Sequence, residues 1–145
     1  MLLVLLLPNT SAQDYREMSL PDGAIARIGK GESGWVLYSP DGSRLAVVST
    51  IGIRLYDTAT YREIALLAGH THQITDVSFS LDGATLVSAS YDATIQLWDV
   101  KTGRHKQTLT GHTEGIEGVV FSPDRATLAS WSWDQTVRLL SLIHI

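Results

Sequence analysis

Apolar residues in this chain fall on alternate positions over short runs. Val77 and Phe79 are one such pair, Ile95 and Leu97 another. Period-2 runs of this kind predict strands with one buried face, since successive strand side chains point to opposite sides of a sheet. Turn residues punctuate them. Asp41-Gly42 and Asp82-Gly83 are hairpin signals, Tyr91-Asp92-Ala93-Thr94 makes a tight connection, and Lys101-Thr102-Gly103 separates a third strand from a fourth. The pattern predicts strands near 74 to 80, 85 to 90, 95 to 100 and 105 to 110, a four-stranded meander. No useful length of chain has helical period.

The meander recurs. "GHTHQITDVSFSLDGATLVSASYDATIQLWDV", from Gly69, returns from Gly111 as "GHTEGIEGVVFSPDRATLASWSWDQTVRLLSL", so that Gly69, His70, Ser80, Asp82 and Asp92 each reappear 42 positions later. A more divergent copy, Gly29 to Gly69, keeps Ser39-Pro40-Asp41-Gly42 and Tyr56-Asp57 but has Lys30 in place of the histidine. Gly-His, Ser-Pro-Asp-Gly, and Asp ahead of Thr-Ile-x-Leu-Trp-Asp at this spacing resemble the WD-repeat β-propeller family. The resemblance implies an all-β ring of twisted sheets around a channel, serving as a platform for other proteins and seldom as an enzyme.

It also implies a shared polar network. A buried indole must give its N–H to an acceptor, and a buried histidine must use both ring nitrogens. In the second unit the resemblance assigns this network to His70, Asp92, Trp98 and a second-strand serine, Ser88 or Ser90 on the same face. In the third it assigns His112, Asp134 and Ser130 or Ser132. There Leu140 stands where the indole belongs, which leaves polar groups short of partners at about 1–3 kcal/mol.

The resulting layout is a degenerate first blade over 29–68, a second over 69–110 and a truncated third over 111–140, with an atypical tail, 141–145. The third unit parts from the second at Leu140, so its fourth strand is expected to be absent. Ala24 to Ile28 sits where a fourth strand precedes the next unit, and by resemblance it is a ring-closing strand. An open arc with apolar outer faces is expected unless several copies assemble. Residues 1–12 read as a secretory signal, with Leu2 to Leu7 ahead of Thr10-Ser11-Ala12, and 13–23 as a linker. Cleavage after Ala12 makes the chain an exported one, periplasmic or extracellular. Without it the chain stays cytoplasmic.

Composition narrows the chemistry. The 145 residues carry a formal net charge of -4 with no Lys/Arg runs, so nucleic acid is not an expected partner, and no apolar stretch is long enough to span a bilayer. With no cysteine, thiolate nucleophiles and sulfur-liganded metal sites are excluded. Ser, His and Asp together suggest a hydrolase, but the trio repeats without a nucleophile elbow and reads as structural. His70 and His72 lack further ligands for a metal, and "GKGESG", Gly29 to Gly34, lacks the order of a phosphate cradle. No cofactor or catalytic residue is expected.

Tyr91 and Trp133 share one slot before the turn aspartates. They read either as partner-binding anchors on an exposed rim, with Gln73 and Glu114 beside them, or as rings lying flat on a neighbouring blade. Glu114 and Glu117 read more simply as a solvated edge. The expected function is a non-catalytic scaffold that binds a protein or peptide. Two alternatives stay open: a propeller enzyme or ligand-binding domain whose active residues lie in missing blades, or a structural fragment that self-assembles through unpaired blade edges.

Overall fold

A computed structural model describes residues 33–50 and 52–143. The first sheet contains β1 (Ser33–Tyr38), β2 (Arg44–Ser49), β3 (Gly52–Asp57) and β4 (Glu63–Leu67). The second contains β5 (Ile74–Phe79), β6 (Thr85–Ser90), β7 (Ile95–Asp99) and β8 (His105–Leu109), and the third β9 (Ile116–Phe121), β10 (Thr127–Ser132) and β11 (Val137–Ser141). Each strand is antiparallel to the next in sequence, so every sheet is a meander, and no helix occurs among the described residues. These are three blades of a partial propeller. The expected signal, linker and ring-closing strand lie outside the described residues.

Register sorts the side chains. In the second sheet Leu86 is opposite Phe79 and Trp98, which puts all three on one face, while Val87 and Ala89, opposite Leu97 and Ile95, share the other. The first face packs on Ala46, Val48, Ile53, Leu55 and Leu67 of the first sheet. The second packs on Ile116, Val119 and Leu128 of the third. A sheet covered on both sides has no polar face, which is why every residue from Leu86 to Ser90 is buried. Each fully buried Leu, Ile or Val contributes roughly 1.5–3 kcal/mol against exposure, so these two seams hold the stack together.

The seam between the second and third sheets also has polar ties. The Thr75 hydroxyl donates to the Ile116 carbonyl at 2.6 Å, and the Val119 N–H donates to Asp76 Oδ2 at 3.0 Å. Trp35 and Gly118 occupy the position of Asp76 in the other units, so the Asp76 tie belongs to this seam.

The chain beyond Leu140 continues the repeat despite its altered letters. Leu140 is opposite Leu128 as Trp98 is opposite Leu86, and the Leu142 N–H meets the Ala126 carbonyl at 2.7 Å, as Val100 meets Ala84 at 3.0 Å. Leu140 and Leu142, two apart, both reach the core, so an apolar alternation replaces Trp-Asp without breaking β11. Among the described residues the third sheet has three strands. Its free face exposes Val120, Trp131, Val137 and Leu139. The Trp131 ring lies over Gly118, where a Cβ would meet it at 1.9 Å. On the first sheet the outer face differs from the expected open one: Val36 and Tyr38 are exposed, but Leu45, Val47 and Tyr56 form a small buried cluster.

A carboxylate organises the first hairpin turn of each blade. Asp41 Oδ1 accepts from the Ser39 hydroxyl at 2.7 Å and from the Ser43 N–H at 3.0 Å. Asp82 does the same with Ser80 and Ala84, and Asp124 with Ser122 and Ala126. The next residue is left-handed in all three turns, at φ 73° for Gly42, 70° for Gly83 and 61° for Arg125. A side chain in this conformation costs roughly 1–2 kcal/mol, which glycine avoids. Arg125→Gly is therefore expected to raise stability by about 1 kcal/mol in urea unfolding, whereas Arg125→Ala, which keeps the Cβ, should gain nothing.

Candidate functional site

In the second and third blades the loop before the first strand and the turn between the second and third strands meet at one end of the stack. In the second blade His70 Nδ1 lies 2.8 Å from Asp92 Oδ2, and His70 Nε2 lies 2.8 Å from Ser88 Oγ. Trp98 donates its indole N–H to the same Ser88 oxygen at 2.9 Å. The donor roles follow from chemistry. A carboxylate only accepts and an indole only donates, so Nδ1–H points to Asp92, while Ser88 Oγ accepts from the indole and shares a further hydrogen bond with Nε2. Of the two serines left open by the sequence, Ser88 is the member. Ser90 instead donates to the His72 carbonyl at 3.1 Å and accepts from the Asp92 N–H at 3.1 Å, pinning loop to turn.

The third blade repeats this without the indole. His112 lies 2.7 Å from Asp134 and 2.9 Å from Ser130, while Ser132 donates to the carbonyls of Glu114 and Gly115. Leu140 offers no donor, yet no histidine nitrogen is stranded; Ser130 simply lacks one of its two partners. A cavity of about 10 Å³ lies beside Leu140, Leu109, His112, Ile116 and Arg138.

Two members escape the sequence reading, Thr94 and Thr136. Thr94 donates to Asp92 Oδ1 at 2.6 Å and Thr136 to Asp134 Oδ1 at 2.6 Å. Their signal was the recurring Asp-x-Thr. Burial would raise the Asp92 carboxyl, but bonds from Thr94, His70 and Thr71 outweigh it and hold it below the ordinary range. The Thr136 hydroxyl leads in holding Asp134 well below that range, with His112 and the Thr113 N–H adding to it against burial.

Serine, histidine and aspartate stand here in the linear order of a hydrolytic triad, so burial must decide between chemistry and structure. Ser88 and Ser130 are both 0% exposed, so neither hydroxyl is open to solvent. His72 is exposed beside the Thr71 hydroxyl, and no group of three or more His, Asp or Glu gathers to hold a metal among the described residues.

Two large aromatic rings face solvent at this end. Tyr91 and Trp133 stack on one another, ring centroids 4.6 Å apart at 30°, and remain 38% and 53% exposed. Their backbones are fixed: Tyr91 N–H donates to the Gln73 carbonyl at 3.1 Å and Trp133 N–H to the Gly115 carbonyl at 3.0 Å. Tyr91 lies against Gly115, where a Cβ would stand 2.8 Å from its ring, so it both packs on the next blade and faces water. The side chains of Gln73 and Glu114 are at solvent while their carbonyls hold the rim.

Trp98→Phe is expected to lower stability by about 1–3 kcal/mol through loss of the Ser88 donor, and Leu140→Trp to raise it by about 1 kcal/mol by supplying one to Ser130. Chemical unfolding of both variants checks the pair. Because both turn carboxyls are lowered, their contribution is complete above the ordinary aspartate value of 3.8 and is lost as pH falls through the depressed ones. Asp92→Asn should cost stability at neutral pH and flatten the acid limb of a stability-against-pH curve.

Known proteins share this architecture. The propeller domain of Myceliophteria thermophila Cps50 (Swd1) superposes with a TM-score of 0.71 at 25% identity, over 79% of this chain and 37% of that one. The RRP9 WD40 repeats give a TM-score of 0.74 at 22% identity, over 81% and 38%. In sequence, 60 residues are 37% identical to the target of rapamycin complex subunit wat1 of Schizosaccharomyces pombe, 40% of this chain and 19% of that protein. The chain thus spans about a fifth of the curated relative and under two fifths of these solved structures. The family model for the WD domain, G-beta repeat, matches residues 61–99 and 103–141, and with the repeated His-Ser-Asp bonds this places the chain in the WD40 family.

Proposed function

We propose that this chain is a non-catalytic scaffold that holds a protein or peptide on the rim carrying Tyr91 and Trp133. The observation behind this reading is the stacked pair itself. Two large aromatics stay partly exposed while the backbone bonds beneath them are fully made. Such rings present contact area already ordered, so a partner bears little of the cost of fixing them. The buried networks give the rim stiffness rather than reactivity. The relative wat1 is by its name a complex subunit, which agrees with a binding role. The apolar start, Leu2 to Leu7, supports an exported chain whose partner is periplasmic or extracellular.

A second reading has its own observation. Val120, Trp131, Val137 and Leu139 form an exposed apolar face beside β11, the edge strand of the third sheet among the described residues, a surface suited to self-association. The two readings separate cleanly. Tyr91→Ala with Trp133→Ala should weaken capture of a bound partner at least about tenfold with the unfolding midpoint unchanged, as truncation of aromatic anchors does. Unfolding of the double variant would assign the rings to the core instead.

A further inference from the structure

The two ends of the stack differ in charge, the described rim loops having carboxylates without cations and the opposite end having both. The described loops and turns at the rim end, residues 49–50, 68–73, 91–93, 110–115 and 133–135, contain Asp92, Glu114 and Asp134 and neither lysine nor arginine. Glu117, three residues beyond Glu114, adds an exposed carboxylate at the start of β9. At the opposite end the turns after the first and third strands mix Arg62, Lys101, Arg104 and Arg125 with Asp41, Asp82 and Asp124. Two cations approach the rim from within sheets. Arg54 is bound to Glu63 at 2.8 Å, and Arg138 runs along Gly111 with its Nε buried.

Backbone bonds set the main chain of Glu114 and Gly115 beside the aromatic pair. Ser132 and Trp133 are tied to the carbonyls of Glu114 and Gly115, and Tyr91 rests on Gly115. Glu114 therefore springs from the strip of chain that underlies both rings. An aromatic face attracts a cation through its quadrupole, a nearby carboxylate adds a direct charge, and a guanidinium can use both at once. We infer that the rim's ligand is an arginine- or lysine-bearing peptide segment, its cation over the Tyr91–Trp133 stack and beside Glu114 and Glu117. This rests on the reading of the rim as the docking surface and adds the partner's chemistry to it.

The test uses the full chain and four synthetic peptides of equal length, bearing arginines, lysines, glutamates or no charge. Binding is followed at the Trp133 indole N–H by NMR. The arginine peptide should shift this signal most and the lysine peptide next, with affinity falling as salt rises from about 50 to about 300 mM. Glu114→Lys should weaken the arginine peptide about fivefold, and Glu114→Gln by less, both with an unchanged unfolding midpoint. Equal or tighter binding of the neutral or acidic peptide, indifference to Glu114→Lys, or basic-peptide binding that leaves Trp133 unmoved would each overturn the inference. If the alanine double variant still abolishes partner capture while basic peptides show no preference, the scaffold reading stands and this one falls. Loss of both disposes of the rim altogether.

Discussion

A meander of three or four strands has two faces, and in this chain both faces of the middle sheet are apolar. That sheet is stable only between two others: Leu86, Phe79 and Trp98 need Ala46 and Leu55 on one side, and Val87, Ile95 and Leu97 need Ile116 and Leu128 on the other. From this requirement follow the repeat spacing, the unbroken burial of β6 and the stacking that brings one blade's loop beside the next blade's turn. Polar chemistry is then added where burial would otherwise be costly. His70 and His112 stand at the ends of their sheets with every ring nitrogen bonded, closing the loop onto the turn.

The two networks show how much the indole matters and how much it does not. In the second blade Ser88 serves His70 and Trp98 together, so two strands and a loop converge on one oxygen. In the third, Ser130 keeps its histidine while Leu140 keeps the apolar row filled, and the sheet retains the register of its neighbour. The loop and turn are shaped by histidine, serine, aspartate and threonine. The indole adds packing and one further bond, and its replacement leaves the rim geometry standing.

The second blade was the most legible part of the chain, because its alternation and its turn residues agree throughout. Its strands begin and end within a residue of where Val77, Phe79, Ile95, Leu97 and Gly83 place them. The choice between Ser88 and Ser90 was not legible, since both lie on one face and only the register across β6 and β7 sets which meets the indole. The Tyr91–Trp133 stack was half legible. The shared slot was plain, but contact between consecutive blades depends on how far one sheet is offset from the next. Asp76 escaped for the opposite reason: its tie occurs once, with Trp35 and Gly118 at the matching positions, so no comparison of units pointed to it. Thr94 and Thr136 stood in view at a fixed distance from each aspartate, and recurrence alone was the clue.

The Asp76 tie gives the two seams different mechanical characters. Apolar contact is non-directional, so the first and second sheets keep most of their attraction through a small slip along the strands. A carboxylate bonded to a particular backbone N–H, and a hydroxyl to a particular carbonyl, resist the same shear because a shift of an ångström breaks them. The rings of Tyr91 and Trp133 belong to the two sheets pinned in this way. Their spacing is thus insulated from sliding elsewhere in the stack, and the rim behaves as a gauge of fixed width.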